Sequence, residues 1–245
     1  MKIVRSSWFD SKLSYKDIMG LSIFYCYQGE DTNWFKKDVK LTKVINLKLS
    51  NEEINSTYDK KCRNEVLRST KEGITYYYDE KLCKLPNFIT AYEELAKNVG
   101  LKSIKEHTFS NLNVVLTYAS LNECELVFHL YVLCDDAKIV RLLHSVSMFR
   151  NSNENIERKF FGWANRGLHD YDIKKFKSLG YETYDLGGYA QGVISANLVG
   201  INKFKDSFGG GFVEVTNLIP FHIHLLSLVF KFLGRVKFGK IFSKT

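Results

Sequence analysis

Three runs of β-branched and aromatic residues, 114–118, 125–133 and 139–146, lie almost back to back. The joining segments, 120–123 and 134–138, are short enough for hairpins, so the runs are expected to pair as an antiparallel meander. Helix patterns flank the meander on both sides. Upstream, Ser50 and Glu53 have the spacing of a capping box, in which a serine hydroxyl accepts from the amide three residues on and the glutamate reaches back. Behind them Ile54, Tyr58, Cys62, Val66 and Thr70 recur every four residues. That period predicts one helix over 51–72, stopped by Gly73. A strand is expected over 74–78, and Pro86 then opens a second helix that closes near Gly100.

The outer segments complete the order. Residues 21–27 read as a strand, a turn is expected at 31–33, and 44–49 reads as extended. After the meander, Asn153 or Asn155 caps a helical stretch that reaches Leu179 and is expected to break near Gly167. Gly180 stops it. A strand over 181–185 runs into Gly187 and Gly188, followed by a short helix near 197–206 and a strand over 211–215. This order places the chain in the α/β (α+β) class, with a mixed, mostly antiparallel central sheet flanked by helices. The expected organisation is one domain over 1–219 and a basic, apolar, helical tail over 220–245. With 45% hydrophobic and 25% charged residues, and 2 prolines, neither wholesale disorder nor a long linker fits the chain.

Charge is unevenly placed. Of the formal +8, five charges fall in the last 26 residues, as Lys231, Arg235, Lys237, Lys240 and Lys244 with no acid, which leaves +3 on the other 219 residues. A nearly balanced body with a basic end is not the pattern of a domain that coats a duplex. Residues 221–234 are mostly apolar, and Phe230, Leu233, Lys237 and Ile241 fall near one helical face. Such a segment is shorter than the roughly 18 apolar residues of a spanning helix and suits an interface with anionic lipid. Met1 to Trp8 lacks the apolar centre of a signal peptide, so the expected location is the cytoplasm, peripheral on the inner face of the membrane. Five cysteines without C-x-x-C spacing argue against a disulfide framework and a structural zinc site. His222 and His224, two residues apart beside apolar neighbours, read as core or tail residues, and no metal is expected.

Chemistry is concentrated in two neighbouring stretches. The first, 180–188, ends a strand in Asp185, Leu186 and two glycines; the second, 200–210, carries Phe204 and Lys205 before another glycine pair. A carboxylate at the C-terminal end of a strand points toward the crevice where open sheets bind ligands, although an Asx turn at Asp185 would give the same pattern. His144 and His169 are candidate general bases for an amine. Arg63, Arg141 and Arg166 are candidate phosphate partners.

Leu168-His169, Gly180, Tyr184 to Gly188, Gly200-Ile201 and Phe204 to Gly210 together resemble the signature of the Fem family of aminoacyl-tRNA-dependent peptidyltransferases. That family is related to the acyltransferases of the GNAT superfamily. Lys61 to Arg63 and Thr70 to Ile74 loosely resemble its upstream basic helix. The close resemblance covers 168–210 and the loose one about 51–216. It implies a GNAT-like fold, in which two central strands splay apart and donor and acceptor meet in the gap. It implies catalytic roles for Lys205 and Asp185, and substrate contacts from Phe204, Gly187, Gly188, Tyr189, Tyr184, His169 and Arg63. GNAT enzymes cradle the acetyl-CoA pyrophosphate with a glycine-rich turn; here the corresponding segment, 145–154, has no glycine, leaving Arg150 and a helix start for phosphate. Asp170 stands where Fem proteins usually have tryptophan.

The expected function is transfer of an activated acyl or aminoacyl group onto an amine of a cell-envelope or polysaccharide precursor, an amino sugar or a peptide. The donor is aminoacyl-tRNA or acyl-CoA, with no resident cofactor. The acceptor is expected to be nucleotide- or lipid-linked. The alternatives are a non-catalytic GNAT-like binding module, or an acyl-CoA-dependent acetyltransferase with an atypical CoA site.

Overall fold

The structure is a computed structural model that describes residues 5–30, 33–150, 157–192 and 195–232. In chain order its elements are β1 (Arg5–Trp8), α1 (Tyr15–Met19), β2 (Ser22–Tyr27), β3 (Phe35–Asn46), α2 (Asn51–Thr57), α3 (Lys60–Lys71), β4 (Thr75–Asp79) and α4 (Leu85–Val99). They continue as β5 (Val114–Leu121), β6 (Cys124–Cys134), β7 (Ile139–Ser147), α5 (Arg158–Ser178), β8 (Thr183–Gly188), α6 (Ala196–Asp206), β9 (Gly211–Pro220) and α7 (Phe221–Phe232). The chain divides into two compact units, one of residues 43–212 and one of residues 1–42 with 213–245.

In the larger unit β4, β5, β6 and β7 form the antiparallel meander, and β8 joins β7 in parallel. Strand β6 is buried almost throughout because helices cover both faces. Phe128 and Leu130 point toward α4, where they pack with Phe88, Ala91 and Tyr92. Tyr131 points the other way, into a core shared with Ile173 and Phe176 of α5. In the smaller unit β1 pairs in parallel with β2, and β2 pairs with β9. Phe24, Phe35 and Leu218 form one of its cores, and the Asn217 side chain accepts from the Cys26 amide at 3.1 Å.

Two helices depart from the sequence expectation. The stretch 51–72 is two helices rather than one. Ser56 and Thr57 turn their hydroxyls back onto the carbonyls of Glu53 and Ile54, both at 2.7 Å, and Asp59 starts afresh by capping the Cys62 amide at 2.6 Å. Helix α5, by contrast, is continuous through Gly167. A Cβ there would lie 2.0 Å from the Tyr76 hydroxyl and 2.4 Å from that of Ser69, so glycine is required for close approach and does not break the helix. The expected caps Asn153 and Asn155 lie outside the described residues. His222 and His224 sit on α7, a helix rather than a strand, where positions two apart face different directions.

His144 is half-buried among aromatic rings. It lies among Tyr92, Phe88 and Phe109 at ring separations of 4.8, 6.4 and 6.3 Å, and burial lowers its pKa to about 4. That surrounding keeps the ring neutral at physiological pH. Between its ordinary pKa of 6.5 and about 4 the unfolded chain binds a proton that the folded chain refuses, so stability falls as pH falls through this window. The lost contribution is about 3 kcal/mol. We expect His144→Phe to gain stability relative to the parent chain progressively below pH 6.5, measured by urea unfolding at a series of pH values.

Candidate functional site

Strands β7 and β8 stay in register for three pairs, Ile139 with Thr183, Val140 with Tyr184 and Arg141 with Asp185, and the ladder ends there. At that last pair the Arg141 guanidinium donates to Asp185 Oδ2, and both residues are buried. The other carboxylate oxygen, Oδ1, accepts from the Gly187 amide at 2.7 Å, an Asx-type turn. Gly187 has φ +82°, and a Cβ there would lie 3.2 Å from the Leu142 carbonyl oxygen. The turn needs glycine on both counts. A bulge in β7 opposite Leu130 and Tyr131 bends the same strand nearby.

Helix α6 is fastened over the end of β8 by three contacts. Lys205 Nζ donates to the Gly188 carbonyl at 2.6 Å. The Asn202 side chain accepts from the Ala190 amide and donates to its carbonyl. The Tyr189 hydroxyl donates to Asp206 at 2.8 Å, and that carboxylate also meets Lys43 at 3.2 Å. Burial lowers the Lys205 pKa to about 8; Asp185 opposes this and Arg141 adds to it. The ammonium therefore remains the main form at neutral pH.

Beneath α6 lies a buried polar chain. His169 of α5 packs on Phe208 and Phe204 at ring separations of 5.2 and 5.4 Å. Its Nδ1 is 2.6 Å from the Tyr184 hydroxyl, which is 2.6 Å from that of Tyr131. Tyr131 donates to Asp172 Oδ2 at 2.6 Å, and His129 Nδ1 is 2.9 Å from the same oxygen. Burial above all holds His169 well below the ordinary imidazole range, helped by His129, Lys205 and Arg166. Burial likewise raises the pKa of both phenols and of Asp172, against the pull of His129 and Tyr131 on the carboxyl.

The structure brings together Asp185, Gly187, Gly188, Tyr189, Phe204 and Lys205 around the end of β8, with Tyr184 and His169 directly below. Each oxygen of Asp185 has a partner within the fold, so this residue orients Arg141 and the Gly187 turn. Arg63 is on α3, and its guanidinium donates to the Tyr58 carbonyl, a contact that ties the α2–α3 corner. The Arg166 guanidinium pairs with Glu65 at 2.7 Å and stacks over Phe204 at 4.9 Å. Arg150 begins a stretch whose side chains lie outside the described residues. Asp170 is held by Lys174 at 2.6 Å and by the Tyr58 hydroxyl at 3.3 Å. Among the described residues no three His, Cys, Asp or Glu side chains are placed to hold a metal ion.

Sequence reasoning missed Asn202 and the Asp172–Tyr131 end of the buried chain. A signal for the latter existed: His129 and Tyr131 alternate on one face of an otherwise apolar strand, and Asp172 follows His169 by one helical turn.

The geometry has known counterparts. FemX superimposes with a TM-score of 0.60 at 14% identity, covering 86% of this chain and 69% of FemX. The chain has the FemX fold. The C-terminal domain of a putative lysylphosphatidylglycerol synthetase from Agrobacterium fabrum gives 0.55 at 10% identity, over 85% of this chain and 72% of that one. L-PGS from Bacillus licheniformis gives 0.53 at 13% identity, over 89% and 74%. No family sequence profile matches this chain, and no curated protein does. The mixed, mostly antiparallel sheet with its helices agrees with the GNAT-like architecture expected from the sequence.

Asp185→Asn keeps the side-chain shape but leaves Arg141 buried without its carboxylate. Breaking such a pair from one side costs about 3–5 kcal/mol. We expect a loss of that order by urea unfolding, with most of it recovered in the double variant Arg141→Met, Asp185→Asn.

Proposed function

We propose that the chain transfers an activated acyl or aminoacyl group onto the amine of a cell-envelope precursor, in the cleft where β7 and β8 part. The observation that carries this reading is Lys205, a desolvated ammonium held at the Gly188 carbonyl just past the last pair of the β7–β8 ladder. In the reaction the amine nitrogen attacks the donor carbonyl carbon. A C–N bond forms and the carbonyl oxygen becomes an oxyanion; the carbonyl re-forms as the C–O bond of an ester or C–S bond of a thioester breaks, and the leaving oxygen or sulfur keeps the electron pair and in the end takes the proton the amine gives up. The donor is already activated, so the protein supplies position and charge. The Lys205 ammonium faces the oxyanion, while the Gly187–Gly188 turn lets backbone approach closely. The likeness to FemX and to lysylphosphatidylglycerol synthetases supports a donor of the aminoacyl type, with aminoacyl-tRNA ahead of acyl-CoA, and a peptide, amino-sugar or lipid-linked acceptor.

Aminoacyl-tRNAs and acyl-CoAs, each paired with UDP-linked amino sugars and with lipid amines, are assayed for N-acylated product by mass spectrometry. With the pair that reacts, we expect Lys205→Met to lower kcat by about 10²–10³-fold without loss of fold. We also expect the parent rate to fall above about pH 8 as the ammonium is lost, and Lys205→Arg to lack that alkaline limb. A folded Lys205→Met enzyme of full activity removes the reading. The engagement of both Asp185 oxygens favours a second reading, a binding module with the same cleft; it predicts ligand-induced stabilisation without product.

We further propose that the smaller unit rests on an anionic membrane. On α7, Phe221, Leu225, Leu226, Leu228 and Val229 are exposed, and the chain beyond contributes Arg235, Lys237, Lys240 and Lys244. Among the described residues no helix is long and apolar enough to cross a bilayer. Interfacial residence matches exposed apolar side chains followed by cations, each worth about 1 kcal/mol near an anionic leaflet. The double variant Leu225→Glu, Leu226→Glu is expected to lose flotation with phosphatidylglycerol vesicles at low salt while retaining its melting temperature. Unchanged flotation refutes membrane residence.

A further inference from the structure

Proton counting along the buried chain fixes its direction. Each phenol keeps its single proton, since burial raises both far above their ordinary range. With Asp172 ionised, Tyr131 donates to Asp172. The 2.6 Å contact between the phenols then needs the Tyr184 proton, because two bare oxygens at that distance would repel. Tyr184 has nothing left to give His169, so the 2.6 Å contact between them takes its proton from Nδ1. His169 is thereby held as the Nδ1–H tautomer with a bare lone pair on Nε2.

The same chain has a second, reversed order. A proton arriving at His169 Nε2 releases the one on Nδ1 to Tyr184; Tyr184 passes its own to Tyr131, and Tyr131 passes its own to Asp172 Oδ2. One N–H bond forms at Nε2, each hop breaks one bond to hydrogen and makes another, and the carboxylate ends as a carboxylic acid. No imidazolium persists at either end. We propose that Asp172, Tyr131, Tyr184 and His169 form a proton relay that accepts the proton released by the attacking amine and stores it on Asp172. His169 is the entry point, next to Phe204 and Lys205; Tyr184, Tyr131 and Asp172 are positioning residues that act through it. The use made of the relay rests on the acyl-transfer reading, but its existence does not.

The groups around the two ends agree with this order. His169 is faced by His129 of β6, at a ring separation of 4.2 Å, and by Arg166 of α5 and Lys205 of α6. All three oppose a lasting positive charge on its ring. Asp172 is faced by His129 and Tyr131 of β6, with Tyr171 of α5 and Tyr76 of β4 within electrostatic reach. His129 Nε2 lies 2.8 Å from Asn165 Oδ1, an oxygen that only accepts, so both ring nitrogens of His129 donate when Asp172 is ionised. None of these groups competes for the Tyr184 hydroxyl.

The test is nitrogen NMR of the full chain with labelled histidine, joined to infrared detection of a carboxylic-acid C=O band that Asp172→Asn removes. At neutral pH we expect His169 protonated on Nδ1 in the parent chain, and a shift toward Nε2–H in Tyr184→Phe, which keeps the ring volume but removes the acceptor. As acid brings up the Asp172 band, the parent His169 is expected to change to Nε2–H without an imidazolium signal. In Tyr131→Phe the band and the tautomer change are expected to part company. A parent chain that holds Nε2–H at neutral pH, or a Tyr184→Phe chain with an unaltered tautomer, overturns the relay. Neither measurement uses a donor or acceptor, so failure here is distinct from failure of the acyl-transfer reading, which the Lys205 kinetics decide.

Discussion

The buried pair of Arg141 and Asp185 sits where two parallel strands stop being neighbours. A parallel ladder that ends leaves backbone groups in need of partners, and the Asp185 carboxylate supplies one by accepting from the Gly187 amide. The same carboxylate neutralises Arg141. One side chain therefore terminates the ladder, sets the left-handed turn at Gly187 and offsets a buried cation. Everything at the mouth of the cleft is placed relative to that turn, including the Gly188 carbonyl that receives Lys205.

Helix α6 closes the arrangement from above. Its attachment by Lys205, Asn202 and Asp206 uses side chains from successive turns of one helix face against the segment Gly188 to Ala190. Below, Phe204 and Phe208 pack on the His169 ring. The depressed Lys205 and the neutral imidazole share a cause: where burial removes solvent, neither an ammonium nor an imidazolium is well supported. The ammonium persists at neutral pH because Asp185 supports it; the imidazole has no such neighbour and stays neutral.

The parts legible in the sequence were those fixed by local patterns. Hairpin spacing gave the meander, Pro86 and Gly100 bounded α4, and the glycine pairs marked the ends of β8 and α6. The parts that escaped were decided by partners far away in the chain. Gly167 looked like a helix breaker because its reason, the Tyr76–Ser69 hydroxyl pair, lies about a hundred residues upstream. The Arg141 partner of Asp185 was not legible because nothing in the 180–188 stretch announces a cation on the neighbouring strand. Periodicity carried Ile54 to Thr70 as one helix, since an every-four pattern does not register hydroxyls that compete for backbone carbonyls.

Charge in the cleft constrains what order of events an acyl transfer there can follow. Arg141, Lys205 and Asp185 sum to a single positive charge in a region depleted of water. Such a field favours an oxyanion and disfavours an approaching ammonium, so the acceptor amine has to arrive neutral. After attack, its nitrogen becomes cationic beside the same field and must shed a proton quickly. Lys205, kept protonated to face the oxyanion, is not free to take it, and Asp185 has both oxygens engaged. The neutral imidazole beneath Phe204 is the remaining basic group in this part of the described structure, and its hydrogen bond to Tyr184 leads away from the positive mouth toward a buried carboxylate. In the proposed transfer the two tasks separate: one cation would hold negative charge at the end of β8, while the proton would move inward, where burial favours the uncharged form of Asp172.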